Sequence, residues 1–249
     1  TAAGITPICM GGKDKWPVHF VWTHLHIRNG GKGLFLESLN NGGWDRPEYI
    51  RSGEQMLELV ELEPFQKGWL AATWPDQAGF FGDGKCAMAF MGNWMYGAQA
   101  SNSASGEGLG DSNMGMFNMP MTNGGLGDSG DTLGGINGWL FSSSASDAAV
   151  ELMMHYISLD IQKEDASNGA YIPIVKGADG SLTNPFLQQV AKNISSSEYH
   201  QIFYDQFLGA DIGRVVNDVS TDLAAGIISA EEATQAAVSY THLRAHETS

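Results

Sequence analysis

The chain has 249 residues, enough to bury a substantial core, and hydrophobic residues at 43% against charged residues at 16% describe a globular protein rather than a disordered one. Its 28 Asp plus Glu outweigh 13 Lys plus Arg, for a net charge of -15, which disfavours nucleic acid and anionic membrane surfaces as partners. No apolar run approaches the roughly 20 residues that a membrane-crossing helix needs, and the two cysteines, Cys9 and Cys86, each sit in a short apolar run that reads as buried hydrophobe rather than disulfide framework.

In chain order, Ile5 to Met10 reads as a buried strand, and Gly11-Gly12 opens a loop carrying Lys13, Asp14, Lys15 and Trp16. Pro17 suits the first turn of a helix reaching about His26 to Arg28, followed by a looser Gly- and Asn-rich region from Asn29 to Gly43. From Pro47, Ile50, Leu57 and Val60 set among Glu48, Arg51, Glu54 and Glu58 predict an amphipathic helix that stops near Pro64. Pro75 to Phe81 is a short helix ended by Gly82-Asp83-Gly84, and Cys86 to Met91 a buried strand. Asn93 is placed to cap a helix starting with Trp94, Met95 and Tyr96.

Loops at Ser101–Ser112 and Thr122–Asp131 flank a short strand at Met114–Asn118. Thr132 to Phe141 looks like a strand interrupted by Gly134, Gly135 and Gly138. Ser146 caps a helix with Leu152, Met153, Tyr156 and Ile157 on one face, and Tyr171 to Val175 is a further short apolar run. The remainder reads as helical: Asn184–Lys192, Ser196–Phe207, and Ile212–Ala225 with its stripe of Ile212, Val215, Val216, Val219 and Leu223. Gly226 ends that helix, and Ser229 with Glu232 forms a capping box for a last one to about Val238. Short strands alternating with helices indicate an α/β fold with a parallel or mixed sheet.

The segment Phe80-Phe81-Gly82-Asp83-Gly84-Lys85-Cys86-Ala87-Met88-Ala89-Phe90-Met91-Gly92-Asn93-Trp94 resembles the F-x-x-G-K-x-A-M-x-x-x-G-x-W signature of the family 1 extracellular solute-binding proteins of bacterial ABC transporters, the maltose-binding-protein-like sugar binders. The resemblance implies a periplasmic-binding-protein-like two-lobed clamp. On that plan residues 1–131 are the first part of the C-terminal lobe, 132–180 belong to the N-terminal lobe, and 181–238 return to the C-terminal lobe. The beginning of the N-terminal lobe and a signal peptide are then expected upstream of Thr1, leaving the helix face of Leu152, Met153, Tyr156 and Ile157 uncovered and that segment prone to aggregation.

It also implies a monomeric periplasmic or cell-surface receptor, without catalysis, cofactor or obligatory metal, whose partners are a carbohydrate and the permease subunits of an importer. Trp94 would lay its indole on the C–H face of a sugar ring, the alternative being a core aromatic plugging a helix start. Asp14 would accept sugar hydroxyls and Trp16 form an aromatic wall, or they are a solvated turn and a packed loop anchor. Gly134 and Gly135 would let backbone approach ligand, or simply bend a strand. Asp211 and Asn217 are ligand candidates on the late return segment, or ordinary helix-capping and surface polarity.

Rival functions are a glycan-active hydrolase using cleft carboxylates and a non-catalytic scaffold. Asp128 and Asp131 are the carboxylates to consider for hydrolysis, though a solvated Gly-rich loop accounts for them as well. His24 and His26, two apart on a helix, cannot both face one metal, and His19 does not complete a set. The terminal residues 239–249 look like a non-native tail, which sets aside the four-residue spacing of His242 and His246 as a metal motif.

Overall fold

The computed structural model describes residues 4–237. Val238, the expected tail from 239 and the His242/His246 pair lie outside them. Two compact units are formed by the described residues: 4–135 with 197–237, and 136–196.

The larger unit starts with β1 (Thr6–Cys9), a one-turn 3-10 helix at Gly12–Asp14, and α1 (Trp16–Asn41). Then come α2 (Pro47–Glu61), α3 (Trp74–Gly82), β2 (Cys86–Ala89) and α4 (Met95–Ser101). After a long irregular stretch, β3 (Thr132–Gly134) leads to the second unit, which holds α5 (Asp147–Tyr156), α6 (Leu159–Ser167) and α7 (Pro185–Ser196). The chain completes the larger unit with β4 (His200–Ile202), α8 (Tyr204–Phe207), α9 (Ala210–Ala224) and a helical stretch at 230–237.

Strands pair in parallel, β1 with β2 and β3 with β4. The register Cys9↔Ala89 and Thr6↔Cys86 brings the two cysteine Cα atoms to 5.6 Å, and they form a disulfide across 77 residues of sequence. This corrects the reading of both as independent buried hydrophobes. The bridging geometry arises only when the strands align, and no local pattern encodes that.

Several boundaries differ from the expected ones for identifiable reasons. The region Asn29–Gly43 is not loose: α1 continues through it past a break at Gly31, whose φ of 63° glycine adopts without steric cost. Leu34, Phe35 and Ser38 of that extension are buried, so tertiary packing outweighs the glycines and asparagines. The buried face of α2 is Tyr49, Ser52, Gly53 and Met56, with Leu57 and Val60 beside it and Ile50 only half-buried. β2 is buried at Cys86 but exposes Ala87 and Met88. Trp94, not Asn93, occupies the N-cap position of α4, and no side chain caps it.

Met114–Asn118 forms no strand, and the expected strand from Thr132 stops at Gly134. Ser196–Phe207 is not one helix but β4 followed by the single turn α8, because the 200–202 backbone is recruited by β3. The capping box holds as read: the Ser229 N–H donates to the Glu232 carboxylate at 2.8 Å, and the Glu232 N–H donates back to Ser229 Oγ at 3.2 Å.

The core of the larger unit lies among α1, α2, α8 and α9. Val18, Val21, Trp22 and Leu25 of α1 meet Tyr49 and Met56 of α2 and Ile212, Val215, Val216, Val219 and Leu223 of α9. Tyr204 stacks on Phe35 at 4.5 Å between centroids. The second unit buries only Ala166, Leu182 and Leu187 as its centre. There Tyr171–Val175 is no strand; buried Gln162 holds it, accepting from the Ile174 N–H at 3.1 Å and donating to the Tyr171 hydroxyl at 2.6 Å.

Candidate functional site

At the end of β1 the chain must turn into α1, and the half-buried Gln66 and buried Gln77 fix that turn. Gln66 accepts from the Met10 N–H at 2.9 Å and donates to the Met10 carbonyl at 2.6 Å, while Gln77 of α3 accepts from Gly11 N–H at 2.9 Å. Lys15 follows with φ of 66°, an uncommon left-handed conformation for a residue with a side chain. Through this reversal Asp14 faces back to α3 while Trp16 begins α1. Asp14 Oδ2 accepts the Trp74 N–H at 2.6 Å, satisfying one of the unpaired donors at the start of α3. Thr73 and Asp76 close a reciprocal capping box at the same helix end, and these hydrogen bonds hold the Asp76 carboxyl below its usual range.

An aromatic cluster results. Trp16 lies 5.2 Å from Phe20, 5.6 Å from Trp74 and 6.4 Å from Trp94, centroid to centroid. Phe20 and Phe203 stack at 4.2 Å beneath, and Trp94 meets each of them edge-on at 6.2 Å. Phe20 and Phe203 are buried, whereas Trp94 is 39% exposed and Trp16 and Trp74 are half-buried. The cluster therefore has a dry phenyl floor and an indole surface open to solvent. Gly92 lies under the Trp94 indole, where any Cβ would collide with the ring, so the spacing Gly92-x-Trp94 is a packing requirement.

Gly134 and Gly135 lie against side chains of the β4–α8 segment. A Cβ on Gly134 would meet the His200 imidazole at 2.6 Å, and one on Gly135 the Phe203 ring at 2.8 Å. The close approach these glycines permit is to His200 and Phe203; Gly135 thereby helps seat the phenyl floor.

Beside the cluster, an open depression of about 560 Å³ is lined by Asp14, Lys15, Asp205, Arg214, Asn217 and Asp218. Lys15 Nζ pairs with Asp218 at 2.6 Å, and Arg214 reaches the same carboxylate at 3.2 Å. Asn217 donates to Asp205 at 3.2 Å. Buried His19 lies 3.7 Å from Asp205; burial pushes its pKa down to about 4 against the pull of that carboxylate, so it is neutral at pH 7. Asn217 is thus brought to the same surface as Asp14. Asp211 is not: it is exposed in the first turn of α9, outside the depression, where its charge complements the helix N-terminus.

The other chemistry-bearing residues are structural. His24 and His26 pack on α1, the latter edge-on to Tyr49 at 4.7 Å, and burial pushes both down to about 3. Asp131 is 4% exposed, which corrects its reading as part of a solvated loop. It accepts the Asp128 N–H at 2.9 Å, and the fully buried Arg28 donates to the carbonyls of Asp128, Asp131 and Met119. Asp128 and Asp131 thus organise their own loop. Among the described residues no three His, Cys, Asp or Glu side chains are grouped to hold a metal ion, and no helix is long and apolar enough to cross a membrane.

Sequence reasoning missed Trp74, Phe20 and Phe203 as parts of the cluster. Only Trp74 carried a local sign, its place between Thr73 and Pro75 at the start of a capped helix. The phenyl pair is joined by folding across 183 residues, from Phe20 to Phe203.

Comparison with curated proteins finds no match. Among solved structures, one from work on xylan utilization by the thermophilic bacterium Caldanaerobius polysaccharolyticus is 21% identical, with a TM-score of 0.80 over 96% of this chain and 62% of its own. A chitin oligosaccharide binding protein is also 21% identical, with a TM-score of 0.77 over 97% of this chain and 60% of its own. A sugar transporter from Bacillus licheniformis in complex with stachyose is 13% identical, with a TM-score of 0.66 over 97% and 62%. These likenesses give the α/β, periplasmic-binding-protein-like fold, and this chain spans about 60% of the length of the structures it matches. The family model for bacterial extracellular solute-binding proteins matches residues 1–164, more than half of the chain, and the signature ending in Trp94 lies within that match. The chain belongs to the bacterial extracellular solute-binding protein family.

Proposed function

We propose that this chain is part of an extracytoplasmic sugar receptor, which captures a mono- or oligosaccharide and hands it to the permease of an ABC importer. The observation that carries the reading is the open indole surface of Trp16, Trp74 and Trp94 on a buried phenyl floor. Sugar rings present a C–H face that lies well on an aromatic plane, and their hydroxyls need polar partners at the rim. Asp14 and Asn217, on the adjoining depression, supply such partners. Relatives of the same fold bound to or named for oligosaccharides support the ligand class. The disulfide between Cys9 and Cys86 supports an oxidising, extracytoplasmic location.

In this reading residues 1–135 with 197–237 are the C-terminal lobe and 136–196 a part of the N-terminal lobe. The receptor works as a monomer, and no catalytic step, cofactor or metal is assigned. Substituting Trp94→Ala in the full-length protein is expected to weaken sugar affinity about 30-fold or more, the roughly 2 kcal/mol lost with an aromatic anchor. Titration calorimetry gives the affinity and thermal melting confirms folding. Undiminished binding by a folded variant would sink the reading.

A further inference from the structure

We infer that Arg28 is a positioning residue for the sugar surface: its buried guanidinium gathers the backbone of residues 119–131, sets β3 against α1, and so brings Phe203 onto Phe20 beneath Trp94; this rests on the sugar-binding reading above. The device begins at the break in α1. An unbroken helix would give the Arg28 and Asn29 carbonyls to N–H groups four residues on, and the turn at Gly31, with φ of 63° and ψ of -165°, takes those donors out of line. Gly127 and Leu126 replace them, donating their N–H groups to Arg28 and Asn29 respectively, each at 3.1 Å. A Cβ on Gly127 would lie 2.2 Å from the Ile27 carbonyl oxygen, so this approach needs glycine. The Asn29 side chain adds a second tie, accepting from Thr122 Oγ1 at 2.8 Å and donating to Ser52 and Gln55 of α2 at 2.8 Å.

The guanidinium acts in the other direction, from α1 onto the loop. It is buried, and it donates to the carbonyls of Met119 and Asp128 at 2.9 Å, Asp131 at 3.1 Å and Ser129 at 3.3 Å. Four acceptors around one planar fork fix the direction of the loop as well as its distance, which a point charge does not do. Burial works against the charge, and the Asp131 and Asp128 carboxylates support it. β3 starts at the next residue, Thr132. The Gly134 carbonyl then accepts the Phe203 N–H at 2.8 Å, and Gly135 lies against the Phe203 ring. Phe203 stacks on Phe20 at 4.2 Å with the planes 11° apart. Phe20 and Arg28 both stand on α1, roughly 12 Å apart along its axis. The helix therefore supplies one ring of the phenyl floor directly and places the other through Arg28.

The test uses the full-length protein with fluorotryptophan in place of tryptophan. In its fluorine NMR spectrum Trp94 is identified by the signal missing from Trp94→Phe, and that signal reads the ring over Phe203 without any sugar. Calorimetric titration with stachyose, xylotriose and the trimer of N-acetylglucosamine reads binding. Arg28→Ala is expected to move the Trp94 resonance and to lower affinity for the tightest of these probes about tenfold. Millimolar guanidinium chloride, far below denaturing concentrations, should return both toward the parent values, and sodium chloride at the same concentration should not. Arg28→Lys, which keeps the charge and guards against a folding defect, should show the same changes at smaller size. Leu34→Ala, a core truncation on α1 beyond the break, controls for lost stability and should leave resonance and affinity in place. A folded Arg28→Ala or Arg28→Lys variant with an unmoved Trp94 resonance overturns the inference, and so does an equal shift in Leu34→Ala. A moved resonance with undiminished affinity overturns the part of Arg28 in binding. A parent that binds none of the probes overturns the sugar-binding reading, while the resonance still decides whether Arg28 places the floor.

Discussion

The two units spend similar apolar content in opposite ways. In the larger one, Trp22, Tyr49, Met56, Tyr204 and Leu223 are all at most 2% exposed, and a disulfide ties β1 to β2. In residues 136–196 the centre is Ala166, Leu182 and Leu187, while Leu140 is fully exposed and Ile136, Trp139, Leu152 and Ile174 are exposed by 65% or more. The difference shows that helix formation alone does not make a core: α5 is capped by Ser146 as its sequence asks, yet none of its residues is buried. Stability resides in the larger unit, and so does the aromatic surface, which needs a rigid floor to keep three indoles in place.

The contrast can be broken most forcefully at Trp22. Trp22→Ala is expected to destabilise the larger unit by ~3–5 kcal/mol, whereas Leu152→Ala, which removes an exposed side chain, should cost under ~0.5 kcal/mol. Urea denaturation of the two variants reads the difference directly, and equal costs would mean that the units are not so unlike. The disulfide comes next. Replacing Cys9 and Cys86 together by Ser should cost ~2–5 kcal/mol, because the bridge closes a long loop and backs a short strand pair. Amide exchange should then speed up in β1 and β2, and exchange unchanged there would show that the strand pairing stands without the bridge.

An effect graded by pH, again confined to the larger unit, comes from the histidines of α1. His24 and His26 are pushed down to about 3 and His19 to about 4, chiefly by burial, with Arg28 lowering His24 further and Asp205 opposing the fall at His19. The folded state refuses protons that the unfolded chain accepts below about pH 6.5. Their contribution is thus fully present above about pH 6.5 and is lost as pH falls toward 4 for His19 and toward 3 for the other two. Within that window each histidine costs up to ~1.4 kcal/mol per pH unit. Melting monitored by tryptophan fluorescence at pH 7, 6 and 5 should show the decline, and a His26→Gln variant should flatten it. A melting temperature that does not fall below pH 6.5 would mean that the imidazoles are protonated in the folded state.

Much of the local structure was legible because it has local causes. Proline placed the starts of α1, α2 and α3, Gly226 ended α9, and the Ile212–Leu223 stripe gave that helix both its limits and its buried face. The signature ending at Trp94 identified the family. Less was legible where distant segments decide. The extension of α1 beyond Gly31 depends on Leu34 and Phe35 finding Tyr204, and residues 200–202 become a strand only because β3 offers its edge. Of the proposed site residues, Asp14, Trp16, Trp94 and Asn217 lie at the cluster or its neighbouring depression, while Asp211 stands apart and the two glycines back onto His200 and Phe203.

By itself the sequence determined the family, the sequence of most helices and the identity of Trp94, since caps, turns and periodic apolar faces act within a few residues. Tertiary structure alone decided that Cys9 bonds to Cys86, that Asp14 serves Trp74, and that Phe20 and Phe203 share a floor under three indoles. Each of these joins residues far apart in the chain, and the free energy that brings them together is that of the whole packed core, to which no single segment's pattern gives access.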